Sequence, residues 1–145
     1  NLAEKVMKLV LKKTGRRIPP SITAKDYLKG CEIEDIEAFF VYCREKYKDI
    51  SKDTIDYLSG IYGTEIDELM GIALADKKYL QPLNSNGDIL AQVIYAVKYE
   101  SACTLNDIIF RRTGIGTLGH PGKKSLKTAA ETAGSLLGWD STRIK

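Results

Sequence analysis

Apolar side chains in this sequence recur at intervals of three and four, and the runs are divided by residues that start or stop helices. No strand-like alternation persists along the chain. The pattern restricts the fold to the all-α class, and we expect a compact orthogonal helical bundle of about six or seven helices. The first helix places Leu2, Val6, Leu9 and Val10 on one side and reaches Thr14, where Gly15 can supply a left-handed stop. It starts with the first residues and without a methionine, so the natural protein is expected to continue upstream. Arg16 to Ala24, with Pro19-Pro20 inside it, reads as an extended connector. Residues 1–24 are therefore expected to form a terminal helix and connector, and residues 25–145 the helical domain proper.

Within that domain, Ile36, Phe39, Phe40, Cys43 and Tyr47 form a core-facing stripe on a helix from Glu34 to Lys48. Ser51 can cap the next helix, which carries Ile55, Leu58 and Tyr62 on one side and ends at Gly63. Thr64 and Asp67 resemble a capping box opening a helix through Ile66, Leu69 and Met70 to about Ala75. Residues 76–87, with Pro82 and Asn86-Gly87, read as a loop, and Asp88 opens a strongly apolar helix to about Ser101. Thr104 and Asp107 repeat the capping pattern ahead of Leu105, Ile108 and Ile109. The glycine-rich stretch Gly114 to Gly122 breaks that helix, and a last one, roughly Lys124 to Leu137, stops at Gly138-Trp139.

The 145 residues suit one domain with a small appendage, burying roughly two-thirds of the unfolded surface. With 43% hydrophobic residues, 28% charged residues and 4 prolines, the composition is that of a soluble globule. Its apolar runs fall far short of the ~20 residues that span a bilayer, and no leader pattern is present. The expected location is cytoplasmic, with no transmembrane segment. Cys31, Cys43 and Cys103 make neither an even set nor a CxxC pair, and one histidine is available to join them, which argues against a disulfide framework or a metal site. Charge is uneven: a net of +6 over residues 1–30, −8 over 31–76 and +5 over 77–145. The blocks read as solvated faces that attract one another within the fold.

The most informative charges sit on two neighbouring helices. Glu100 falls among Ile89, Val93, Ala96 and Val97, and Arg112 lies on the apolar face set by Leu105 and Ile108. A buried Glu100–Arg112 ion pair tying the helices together is expected, beside an exposed Asp107–Arg111 pair. The alternative is an arginine fork for a phosphate or carboxylate ligand. Gly114-Ile115-Gly116-Thr117-Leu118-Gly119 spells GxGxxG, but it follows a helix instead of a strand, and Thr117 stands where a phosphate loop needs glycine. A flexible surface loop is the expected reading there, with His120 an exposed loop side chain. Ser51 to Ala75 has helix-turn-helix proportions, yet Glu65, Asp67, Glu68 and Asp76 on the would-be recognition helix would repel phosphates, so no nucleic-acid partner is expected. No residue is assigned a catalytic, cofactor-binding or metal role.

Taken together, Tyr62-Gly63, Ile66 and Leu69, then Val93, Tyr95-Ala96-Val97, Glu100, Ala102, Thr104-Leu105, Asp107 and Arg111-Arg112-Thr113, with the closing Gly138-Trp139, carry a family resemblance. Over about residues 60 to 139 the chain resembles the C-terminal helical domain of FAD-dependent glycerol-3-phosphate dehydrogenases. It departs from that pattern at Gln92, where the family commonly has glutamate, and in the glycine-rich loop after Thr113. Helix 1–14 looks like the final helix of the family's FAD-binding domain. The resemblance implies a parent flavoprotein that oxidises sn-glycerol 3-phosphate to dihydroxyacetone phosphate, passing electrons through FAD to an acceptor. It implies an upstream FAD-binding domain in the same polypeptide, a possible homo-oligomer or electron acceptor as partner, and a parent peripheral to the membrane. This chain itself is then a structural or docking domain, without FAD and inactive alone. The competing classes are an independent helical interaction module and a helix-turn-helix nucleic-acid binder.

Overall fold

A computed structural model describes residues 2–17, 19–22, 24–117 and 119–144. Asn1, Ile18 and Thr23 of the expected terminal helix and connector, and Leu118 of the GxGxxG run and Lys145 of the expected helical domain, lie outside the described residues. Helices follow one another as α1 (Leu2–Lys13), α2 (Ile36–Lys46), α3 (Lys52–Tyr62), α4 (Ile66–Ala75), α5 (Leu90–Tyr99), α6 (Leu105–Asp107), α7 (Lys123–Leu137) and α8 (Ser141–Ile144). An isolated antiparallel bridge between Pro82 and Ile89 is the one extended pairing among the described residues.

Capping residues set several helix starts. The Asp35 carboxylate accepts from Ala38 N at 3.0 Å, and Ser51 Oγ accepts from Thr54 N at 3.2 Å. Thr104 Oγ1 accepts from Asp107 N, while Asp107 Oδ2 accepts from Thr104 N, a reciprocal box that closes α6 as the spacing predicts. Thr64 and Asp67 form no such box. Gly63–Glu65 is a 3₁₀ turn, Thr64 donates to Glu32, and Asp67 is taken by Lys46 and Tyr47. Those long-range partners outcompete the local one. The expected loop 76–87 also holds a 3₁₀ turn, Lys77–Leu80, capped by Asp76. Helix α8, which periodicity did not reveal, folds back so that Ile144 meets α7 at Gly134, where a Cβ would lie 2.8 Å from Ile144 Cδ1.

Two apolar clusters make the core, and α5 stands between them. Ala91 and Tyr95 join Cys43, Tyr47, Ile55, Leu58, Ile66, Leu69, Met70 and Ala73 from α2, α3 and α4. Leu90, Val93 and Ala96 join Leu83, Ile108, Ile109, Ile115, Ala129 and Ala133 on the other side. A helix apolar all round is one packed on both faces. The small residues of α7 let its backbone approach α5 closely.

The N-terminal segment contributes almost nothing to this core. Helix α1 packs on no other element and has no buried residue, and Gly30 is the one buried residue before Cys43 among those described. Ile36, expected on the core-facing stripe, is 62% exposed, because α2 begins there and the stripe reaches the core only from Phe39 onward. Residues 25–35 are instead clipped to the end of α3: Thr64 N donates to Gly30 O at 3.1 Å, and Lys29 pairs with Glu65. Gly63, at φ +53°, lies so close to Gly30 O that a Cβ could not be accommodated.

Candidate functional site

Between the two apolar clusters runs a polar seam that periodicity and motif spacing do not announce. Its centre is Asp88, fully buried, just before α5. The Tyr57 hydroxyl donates to its Oδ2 at 3.0 Å and Asn84 Nδ2 to the same oxygen at 2.6 Å. Gln92 Nε2 donates to Oδ1 at 3.0 Å, and Gly114 N to Oδ1 at 3.3 Å. Four donors from α3, the loop before α5, α5 itself and the glycine-rich run thus converge on one carboxylate, which makes its burial tolerable. Burial and the Asp88 charge together push the Tyr57 phenol up to about 12, so it stays a donor at neutral pH. The one trace of the seam in the sequence is Gln92, a polar side chain within the otherwise apolar first two turns of α5; Asn84 and Asp88 precede that helix, so helical spacing does not link the three.

Gln92 is suited to this place by its amide. Its Oε1 accepts from Ile89 N at 2.7 Å while its Nε2 donates to Asp88, so one side chain serves a donor and an acceptor at once. Both bonds are local, and the nearby Tyr62 hydroxyl is left buried without a hydrogen-bond partner. Burial, chiefly, raises the Tyr62 pKa.

Glu100 and Arg112 are not brought into the expected ion pair, for no salt bridge joins them among the described residues. Glu100 Oε2 is buried without a hydrogen-bond partner, and Arg112 is exposed. The backbone gives the reason. Helix α5 ends at Tyr99, leaving Glu100 as its C-cap, and residues Ile108–Arg112 form a π turn, whose wider winding carries Arg112 away from the position that α-helical spacing assigns it. What remains is attraction at a distance: burial raises the Glu100 pKa, and Arg112 offsets part of that rise. The exposed Arg111–Asp107 pair does form, at 2.7 Å.

The first part of the glycine-rich stretch, Gly114 to Gly116, is packed where a flexible surface loop was expected, whereas Thr117, Gly119 and His120 are exposed. Ile115 is 2% exposed within the second core cluster, and Gly116 N donates to Ile109 O at 3.1 Å. Glycines are required by close approach: a Cβ on Gly114 would collide with the Tyr57 hydroxyl, and one on Gly116 would lie 2.6 Å from Ile109 Cγ2. The first glycine of GxGxxG therefore faces a carboxylate. A pyrophosphate needs the opposite charge there, so these residues do not fit the phosphates of a dinucleotide such as FAD. His120 is exposed, with Nδ1 accepting from Gly122 N at 3.0 Å. Cys43 is buried, its thiol pKa raised chiefly by that burial, whereas Cys31 and Cys103 are exposed.

The acidic residues of the Ser51–Ala75 unit are likewise occupied inside the fold. Although burial pushes the Glu65 carboxyl up, Lys29 and the Tyr95 hydroxyl hold it below the usual range. Asp67 is held down in the same way by Lys46 and Tyr47. These contacts fasten α4 and the turn before it to α2, α5 and the segment at Lys29. No cluster of potential metal ligands occurs among the described residues, and no described helix is long and apolar enough to cross a membrane.

The chain is 28% identical over 141 residues to a glycerol-3-phosphate dehydrogenase of Synechocystis sp., an alignment covering 95% of this chain and 25% of that protein. It thus spans about a quarter of the relative's length. No solved structure matches it. The family described as the C-terminal domain of alpha-glycerophosphate oxidase matches residues 21–144. With that match covering most of its length, the chain belongs to the family described as the C-terminal domain of alpha-glycerophosphate oxidase.

Proposed function

We propose that this chain is the helical accessory domain of a larger flavoprotein that oxidises sn-glycerol 3-phosphate to dihydroxyacetone phosphate, with electrons passing through FAD to an acceptor. The observation that carries the reading is the family match over residues 21–144, beside an α1 that falls outside it and leaves its apolar side uncovered. A 12-residue helix is marginal alone in water, so α1 needs a body to pack on. That body is the upstream FAD-binding domain of the same polypeptide. Residues 1–24 then belong with it as terminal helix and connector, and residues 25–145 form the accessory domain.

In this reading FAD supplies the electron sink when bound, and the groups that hold it lie elsewhere in the polypeptide. The present residues supply a rigid support. Asp88 and Gln92 lock α3, α5 and the glycine-rich run together, and Arg112 acts on Glu100 as a distant electrostatic tether. The parent works in the cytoplasm or at the membrane surface. The test is the intact gene product: a yellow protein several times the mass of this chain that oxidises glycerol 3-phosphate is expected. A colourless product of this chain's own mass would overturn the reading.

A further inference from the structure

Besides α1, the segment that follows the connector leaves apolar side chains bare, and Ile36 among them lines a groove. Tyr27 is 68% exposed, Leu28 77% and Ile36 62%. The groove, about 440 Å³, is lined by Ile33, Ile36, Phe39, Phe40 and Ile61, with Cys31 at its edge. Ile61, on α3, is itself 47% exposed. Soluble surfaces rarely concentrate large apolar groups in this way without something to cover them. The concentration is regional: among the described residues, nine of the sixteen exposed large apolar side chains fall within residues 2–36, and none of the buried apolar core does.

We infer that this groove, together with Tyr27 and Leu28, is a second docking surface for the N-terminal body of the same polypeptide, distinct from the face of α1. The inference rests on the accessory-domain reading and adds where the domain is gripped. Three observations select that occupant. The chain corresponds to a quarter of its relative, so a body about three times its size is available in a protein of that kind. The groove lies just C-terminal to the connector, where a body bound to α1 is held at high effective concentration. The segment after the connector is clipped down, Gly30 to Thr64 and Lys29 to Glu65, so Cys31 and Ile36 are presented in a fixed place. A surface preorganised in this way loses less conformational freedom on docking.

Cys31 at the groove and Cys103 at the start of α6 are both exposed here, which supplies a built-in probe. The intact gene product is labelled with a maleimide under native conditions, and the Cys31 and Cys103 peptides are followed by mass spectrometry, with the denatured protein as reference. Docking predicts that Cys31 labels at least about tenfold more slowly than Cys103, as a closed interface requires. The Ile36→Glu variant should restore fast labelling of Cys31 while Cys43 stays protected, reporting an intact fold. Equal native rates for Cys31 and Cys103 would overturn the groove as an interface, as would protection that survives Ile36→Glu. Neither result touches the accessory-domain reading, which fails separately if the intact product has only the mass of this chain.

Discussion

Helices α1 and α3 are nearly equal in length, 12 and 11 residues, and both carry apolar side chains along one side. Helix α3 buries Ile55, Leu58 and Tyr62 in the core, while α1 leaves Leu2 77%, Leu9 54% and Val10 46% exposed. Period alone makes a helix with a face. Whether that face is satisfied depends on the elements around it, and α3 has α2 and α4 where α1 has none. The difference marks a contrast: the bundle from Cys43 onward is held by its own contacts, and the segment before it leaves most of its large apolar side chains uncovered.

Breaking the bundle's side of this comparison gives the largest expected effect. Leu69 on α4 is fully buried in the first cluster, and Leu69→Ala should lower the unfolding free energy by about 3 kcal/mol. Urea denaturation of the 145-residue chain would measure it. A loss no larger than an exposed leucine gives would mean that the first cluster is not the core described.

Next comes the seam. Gln92→Glu replaces the amide that donates to Asp88 with a carboxylate that cannot donate once ionised, at a fully buried position. A loss of about 2 kcal/mol is expected at neutral pH. The sign with pH follows. A carboxyl buried beside Asp88 has its folded-state pKa raised above the unfolded value, so its deficit is absent below the unfolded pKa and grows as pH rises toward the folded one. Protonated, it donates to Asp88 while its other oxygen accepts from Ile89 N. Melting curves of the variant and the unmodified chain should therefore converge near about pH 4. A deficit that does not shrink in acid would break the hydrogen-bond account of Gln92.

Much of the first region and of the fold was open to reading, and the seam was not. Caps at Ser51 and Thr104 and stops at Gly63 and Gly138 act over three or four residues, so spacing reveals them. The Thr64–Asp67 box failed because Glu32, Lys46 and Tyr47 compete from across the fold, and local spacing carries no record of distant partners. Ion pairing of Glu100 with Arg112 failed for a related reason. Its projection assumed α-helical winding through both residues, and a C-cap and a π turn replaced it. Gly114 was expected in a flexible surface loop because its packing against Tyr57 and Asp88 depends on partners 26 or more residues away, which local spacing does not record.

A smaller effect is expected at Glu100. Its raised pKa, due first to burial and then moderated by Arg112, means that ionised Glu100 weakens the fold as pH rises above the ordinary carboxyl range. Glu100→Gln should thus raise the melting temperature modestly at about pH 7 and leave it unchanged at about pH 4. Arg112→Ala should lower stability in the unmodified chain and change it little once Glu100→Gln is already in place. Additive effects in that cycle would remove Arg112 as a tether.

The least effect is predicted where the comparison began. Deleting residues 1–24 removes α1 and the connector, including Leu2, Val6, Met7, Leu9, Val10 and Ile22, all exposed. None of them joins either core cluster, and α1 packs on no other element, so the bundle should keep its unfolding free energy within about 0.5 kcal/mol. Solubility should rise, since the bare apolar side of a short helix is a contact point for other molecules. The clip at Lys29 and Gly30 lies beyond the deletion and stays in place. A loss above about 1 kcal/mol would mean that the segment supports the bundle directly, and α1 could then no longer be assigned to a neighbouring body on the strength of its uncovered face.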